Sequence, residues 1–419
     1  MKMIKPTILM FPSWYPTKQN PFNGVFFKEQ MLSLKDNFDF IIFRTFSKRV
    51  PFFTYLLKKI LGKSIVLVQE DSDPFPQYSC LVYVSVESYF IQILNFIRVK
   101  LHRIKLPEGC GEYLSEKDLF KLTDRFKKLF KNMDIKADLV YGLTAQDMAV
   151  NTYCAAKALD KPYVLGEHAP FPWPGRVLNN LQKKSIEEAD AHLVISKDKV
   201  RQIMLQNINL RNWYYVGNLV DENQFPYKPV EHEKTTFVIV AANSFYKNYD
   251  MFIKTMNILS EKAEKDFSVI VAGFDANKGY SKNADELIGK IKNSKFAGKV
   301  EFVPSVPRNQ MADLYNRTDA FVMTSIQEGQ PVSAIEAACC GLPVFSTRCG
   351  GVEDYVTEDI GRVVDITDCE KLASYLNDFL NGIICFDKMN IRKKVIGLFG
   401  KDAFVKNVSS VFETFISKD

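Results

Sequence analysis

The chain has no Cys-x-x-Cys pair and no disulfide-framework spacing among its eight cysteines, at 80, 110, 154, 339, 340, 349, 369 and 385. That pattern excludes a cystine-stapled scaffold and predicts free thiols in a reducing cytoplasm. No apolar run reaches the length of a transmembrane helix. Met1-Lys-Met-Ile-Lys-Pro6 runs straight into a short strand and lacks the pattern of a secretory signal. No G-x-G-x-x-G follows the first strand of either half of the chain, which argues against a dinucleotide oxidoreductase.

What is present is the composition of a globular protein, with 47% apolar and 25% charged residues over 419 positions. That length predicts two domains rather than one core. The net charge of +6 is unevenly placed, because residues 1–106 hold 15 Lys/Arg against 7 Asp/Glu. Within that half, residues 44–64 carry six basic and no acidic residues among Phe52, Phe53, Tyr55, Leu56, Leu57, Ile60 and Leu61. Residues 89–106 repeat the theme. Both stretches read either as amphipathic helices on an anionic membrane surface or as surface helices with buried apolar stripes. No nucleic-acid reading motif accompanies the charge, so no nucleic-acid partner is expected.

Strand-like and helix-like segments alternate along most of the chain, the pattern of an α/β protein. Predicted strands are 7–11, 38–43, 137–141, 161–165 and 191–195, then 236–241, 267–272, 300–303, 320–323 and 344–346. Predicted helices include 25–34, 119–130, 148–159, 249–262, 284–292 and a terminal one over 402–416. A turn-rich junction at Gly217–Asp221 and a Pro-bounded linker over 226–234 separate the two runs. Asp71-Ser-Asp73 has a spacing used to hold a divalent metal on a diphosphate. It lies in a Pro-bounded loop without further ligands, so it reads as a turn and no metal site is expected.

The most informative stretch is Thr324–Gly351, which holds Glu328 and Glu336 with seven residues between them. A buried strand precedes it, Pro331 suits a first helical turn, and Ala334, Ala337 and Ala338 let the helix lie close to a sheet. The helix N-terminus offers backbone N–H groups and a positive dipole end to phosphate. Glu328 in the loop and Glu336 deeper in the helix can accept hydrogen bonds from hydroxyls. Spacing alone equally permits two solvated acids on an ordinary crossover. His168 just past a strand end, Gly24 at a loop-to-helix junction and Lys247 ahead of a helix are further candidates, each also readable as structural or surface residues.

Taken together, these segments resemble the retaining glycosyltransferases of family 4, of the branch that builds bacterial surface polysaccharides. PSWYP…NPFNGVFFKEQ at 12–30, GEH at 166–168, GNLVDENQF at 217–225, SFYKN at 244–248 and EGQPVSAIEAACCGLPVFSTRCGGVEDYV at 328–356 carry the resemblance. It implies the GT-B fold, two Rossmann-like domains facing each other across a cleft, divided as 1–216 and 217–401 with residues 402–419 able to pack back on the first. It implies transfer of a sugar from a nucleotide donor, UDP-hexose or UDP-N-acetylhexosamine, to a lipid-diphosphate-linked saccharide at the inner face of the cell membrane.

The resemblance also assigns roles. Glu336 takes the ribose hydroxyls, and Glu328 takes donor-sugar hydroxyls beside the backbone of Gln330, Val332 and Ser333. Lys247 neutralises the diphosphate, with Ser244 in the same loop, and Gly24 brings an amide to that diphosphate. His168 faces the reacting centre, and Ser305 and Val306 meet the base. His168, Lys247 and Glu328 are thus the expected catalytic residues, with no cofactor and no metal. Two departures stand out. Asn243 and Ser244 occupy the positions where many relatives carry a second cationic residue, an Arg, and Pro331 lacks an N–H. A UDP-sugar 2-epimerase of the same fold and a weakly catalytic scaffold remain as alternatives.

Overall fold

The computed structural model describes residues 5–17, 23–61, 65–70, 74–85, 116–173, 176–231, 233–275 and 284–416. Asp71–Asp73 and the basic stretch 89–106 lie outside them. Contacts divide the chain into two units. The first holds residues up to Val194, Val200–Tyr214 and the chain from Val408 onward. The second holds Ile195–Lys199 and Tyr215–Asn407.

The first unit is built on a sheet of β1 (Thr7–Pro12), β2 (Asp39–Val50), β3 (Ile65–Glu70), β4 (Gln77–Ser85), β5 (Leu139–Leu143), β6 (Tyr163–Glu167), β7 (Ala191–Val194) and β8 (Trp213–Tyr215), in the order 3-4-2-1-5-6-7-8. Residues Ile8–Phe11 are fully buried, as expected of a central strand covered by helices on both faces. Its helices are α1 (Val25–Leu34), α2 (Phe52–Ile60), α3 (Glu116–Asn132), α4 (Ala145–Leu159), α5 (Asn180–Glu187) and, from Val200 onward, α6 (Lys197–Met204). Asn179 and Gln182 form a reciprocal capping box that starts α5.

The basic stretch 44–64 differs from its helical reading. Arg44–Val50 continue β2, paired in parallel with Ser79–Ser85 of β4, while β3 closes an antiparallel hairpin on β4. Among its described residues only Phe52–Ile60 are helical, and Phe53, Leu57, Ile60 and Leu61 are exposed.

The second unit has an all-parallel sheet of β9 (Thr235–Val240), β10 (Phe267–Ala272), β11 (Val300–Val303), β12 (Ala320–Met323), β13 (Val344–Thr347) and β14 (Gly361–Val364), ordered 11-10-9-12-13-14. The chain order turns back at β9 and β12, the switch point where open parallel sheets hold ligands beyond their C-terminal ends. Its helices are α7 (Tyr249–Lys262), α8 (Ala284–Lys292), α9 (Met311–Asn316), α10 (Val332–Cys339), α11 (Cys369–Leu380) and α12 (Lys388–Phe399). Ala334, Ala337 and Ala338 of α10 are fully buried, so the small side chains do bring this helix against the sheet. Arg392 of α12 ties it down further, donating to the carbonyls of Phe225, Cys339 and Glu222. The last helix, α13 (Lys401–Ile416), ends in the first unit, where Phe412 packs edge-on against Phe38 and Tyr141.

Candidate functional site

Four loops leave the C-terminal ends of β9, β11, β12 and β13 at one edge of the second sheet. After β9, residues Phe245–Lys247 form a 3-10 turn with Ser244 ahead of it, and Asn248 caps α7 from a left-handed conformation. Thr324, just past β12, donates through its hydroxyl to the carbonyls of Lys247 and Asn248, at 3.2 and 3.1 Å. The Ile326 amide donates to the Tyr246 carbonyl at 2.7 Å. Thr347 at the end of β13 donates to the Ser325 carbonyl at 2.6 Å. Three loops are thereby bound into one platform.

On that platform Lys247 Nζ lies 2.6 Å from Glu328 Oε1, and Ser325 Oγ donates to the same oxygen at 2.7 Å. The side chains are 26% and 14% exposed, so the pair is reachable from solvent but mostly enclosed. The Glu328 amide is fixed by the Cys349 carbonyl at 2.7 Å. Burial, with Glu328 and Glu353 nearby, pushes the Cys349 thiol well above its ordinary range, so it stays protonated and inert.

Glu336 lies in α10 and is 3% exposed. Arg308 Nη1 meets its Oε1 at 2.6 Å, and the Tyr315 hydroxyl approaches Oε2 at 3.4 Å. Burial and the Glu336 charge hold the Tyr315 phenol far above its usual range, so it remains a donor. Arg308 opens a 3-10 turn after β11, and its guanidinium lies 5.7 Å from the centre of the Phe225 ring. Ser305 and Val306, expected to meet a base, sit in the same loop, Ser305 exposed and Val306 packed partly against the core.

The loop between the two acids is held from behind. The Gln330 side chain is buried, its Oε1 accepting from the Asn218 amide at 2.6 Å and its Nε2 donating to the Tyr215 hydroxyl at 3.0 Å. Asn218 Nδ2 donates to the Gln330 carbonyl at 2.9 Å. Gly351, at φ +77°, underlies the turn, where a Cβ would collide with Gly329 O and lie 2.8 Å from Gln330 Cα. Pro331 occupies the cap position and helix α10 begins at Val332, so no side chain caps its N-terminus. Val332 and Ser333 are half-buried first-turn residues there, where amides lack helical acceptors.

In the first unit, Gly24 starts α1 at φ +70° and a Cβ there would lie 2.6 Å from the Trp14 carbonyl carbon. Trp14 stacks on Phe27 at 6.1 Å, and Phe27 meets the His168 ring edge-on at 5.0 Å. Glu167, buried next to His168, accepts from the Gln146 and Ala169 amides at 3.2 and 2.8 Å and so sets the loop that presents the histidine. Among the described residues no cluster of His, Cys, Asp or Glu could hold a metal ion, and no helix is long and apolar enough to cross a membrane.

The structure therefore gathers Lys247, Glu328, Glu336, Ser305, Val306, Val332 and Ser333 on one sheet edge, and Gly24 with His168 in the other unit. Sequence reasoning missed Arg308, Tyr315, Asn218 and Tyr215. Asn218 lies in the GNLVDENQF segment, and the other three have no local signal.

Residues 220–393 match the family described as glycosyl transferases group 1. An uncharacterized glycosyltransferase of Haemophilus influenzae is 23% identical over 70% of this chain and 78% of its own length. The N,N'-diacetylbacillosaminyl-diphospho-undecaprenol alpha-1,3-N-acetylgalactosaminyltransferase of Campylobacter jejuni is 25% identical over 43% of this chain, which spans 48% of that enzyme. Anabaena HepE, solved in complex with UDP and glucose, superposes with a TM-score of 0.64 at 14% identity, over 98% of this chain and 100% of the other.

Proposed function

We propose that this chain, whose residues 220–393 match the group 1 glycosyltransferases and which has the GT-B fold, is a family 4 transferase, and we propose a donor and an acceptor for it. The reading is a retaining, metal-independent hexosyltransferase that moves a sugar from a UDP-hexose or UDP-N-acetylhexosamine to a lipid-diphosphate-linked saccharide, in assembly of a capsule, O-antigen or exopolysaccharide. The observation that carries it is the Lys247–Glu328 pair on a loop platform ahead of an uncapped helix N-terminus. The bacterial relative that acts on a lipid-diphosphate acceptor and the neighbour holding UDP support the substrate classes.

Each residue then has a physical task. An ammonium has three donors, so Lys247 can keep Glu328 in place with one N–H and meet a diphosphate oxygen with another. The first-turn amides of α10 add a dipole aimed at the same charge. Glu328, a fixed acceptor, orients the sugar by its hydroxyls, and Glu336 does so for the ribose. Gly24 and His168 are assigned to the diphosphate and the reacting sugar on the resemblance alone. The leaving diphosphate takes the acceptor's proton while the new glycosidic bond forms on the face the diphosphate departs from. Catalysis is then positioning and charge stabilisation rather than acid–base work by two flanking carboxylates. With Asn243 and Ser244 where a second cation could stand, Lys247 carries more of that charge.

The test is nucleotide release from UDP-, GDP- and ADP-sugars with a lipid-diphosphate disaccharide, with and without EDTA. Lys247→Ala and Glu328→Ala should each lower turnover by about a hundredfold or more, and EDTA should leave it unchanged. Full turnover in both variants refutes the site, and loss with EDTA refutes metal independence.

The inner face of the cell membrane is the proposed location. Phe53, Leu57 and Ile60 fall at helical spacing on α2 and are 81%, 57% and 73% exposed, beside Lys58. Exposed apolar side chains next to basic residues suit an anionic lipid surface.

A further inference from the structure

We propose that Arg308 is a positioning residue for the donor's ribose, acting through Glu336; this rests on the reading of the second unit as the donor site. A carboxylate that is 3% exposed needs a cation or donors to stay ionised in place. Arg308 Nη1 supplies one at 2.6 Å on Oε1, while the Tyr315 hydroxyl approaches Oε2 at 3.4 Å. The 2.6 Å contact of Arg308 orients the group through Oε1, and the longer approach of Tyr315 lies on Oε2. The guanidinium is itself held, with its carbon 5.7 Å from the centre of the buried Phe225 ring.

Arg308 is also not sealed away. Its side chain is 36% exposed and follows β11 at the edge where the site loops gather. A carboxylate offers about four acceptor positions, so it can hold a guanidinium and the two hydroxyls of a ribose together. A planar fork orients such an acceptor better than a point charge does. Arg308 therefore sets the direction in which Glu336 presents itself to the diol, and it does so without touching the reacting atoms.

The experiment is a coupling cycle. Titration calorimetry gives the affinity of the wild-type chain, R308A and R308K for UDP and for 2',3'-dideoxy-UDP, with GDP and ADP pairs run where they bind better. In the wild type, losing both hydroxyls should weaken binding about tenfold or more. In R308A, intact UDP should bind about tenfold more weakly, and the two nucleotides should bind within about twofold of each other. Donor KM should rise far more than kcat falls, and R308K should recover part of the affinity, which also guards against a poorly folded R308A. Undiminished discrimination in R308A overturns the proposal. So does tighter binding by R308A, which would make Arg308 a competitor for Glu336, or no recovery in R308K. A wild-type chain indifferent to the hydroxyls refutes the donor-site reading of Glu336 itself.

Discussion

Lys247 and Glu328 stand 81 positions apart in the chain and meet at 2.6 Å, with Ser325 on the same carboxylate oxygen. In such a mostly enclosed pair desolvation offsets much of the Coulomb attraction, so its geometry matters for placing charge. A different ionisable group makes stability depend on pH. Burial lowers the pKa of His192 from 6.5 to about 4 and keeps it neutral in the folded chain. The unfolded chain binds that proton near pH 6.5, so this residue's contribution is full above that pH and is lost as pH falls toward 4. Over that window the loss is roughly 3 kcal/mol. His192→Asn should therefore flatten the fall in the denaturation midpoint between pH 7 and pH 4.5. Equal slopes for variant and wild type would disprove it. At this scale Glu328, Glu336, Lys247, Gly24 and His168 could be singled out in the sequence, and the resemblance of the segments around them, not their spacing alone, suggested roles for them. Arg308 could not, since its partner lies 28 positions away and an Arg after a strand has no local mark.

The loop carrying the two acids is shaped by elements that hold no chemistry. The strand exit at Tyr215–Asn218 grips Gln330 from one side and the Gly350–Gly351 turn supports it from below. Gly351→Ala would put a side chain at φ +77° into Gly329, which costs about 2 kcal/mol or more. It should lower the melting temperature and weaken nucleotide binding by displacing the α10 N-terminus. A variant that keeps both would show that the loop does not depend on this support. The hairpin of β3 and β4 and the extension of β2 into a basic stretch could not be foreseen from residues 44–64. Strand pairing with Ser79–Ser85 decides them, and pairing is a property of two segments together.

Each unit has its own sheet and core, and the chain returns to the first unit at its end. Val408, Val411, Phe412 and Phe415 are all buried. Ending the chain at Asn407 removes them and uncovers Phe38 and Tyr141. That should cost the first unit of the order of 5 kcal/mol. Limited proteolysis should then cut the first unit early while the segment 215–407 persists, and equal resistance of both would count against it. On the proposed membrane contact, Leu57→Glu with Ile60→Glu should abolish co-sedimentation with anionic vesicles and leave turnover on a water-soluble acceptor analogue intact. Unchanged sedimentation would remove α2 from the contact.

By itself the sequence determined the α/β alternation and the place where the second sheet begins, and it singled out Glu328, Glu336 and Lys247 as candidates. Apolar periodicity is local, so one segment is enough to show it, and motif-like segments mark candidates in the same way. Only the tertiary structure decided which side chains hold those residues in place. Asn218 reaches Gln330 over 112 positions, Arg308 reaches Glu336 over 28, and Thr324 clasps the turn before α7 over 77. Such partnerships cost chain entropy that only the packed sheet repays, so no stretch of sequence read alone contains them.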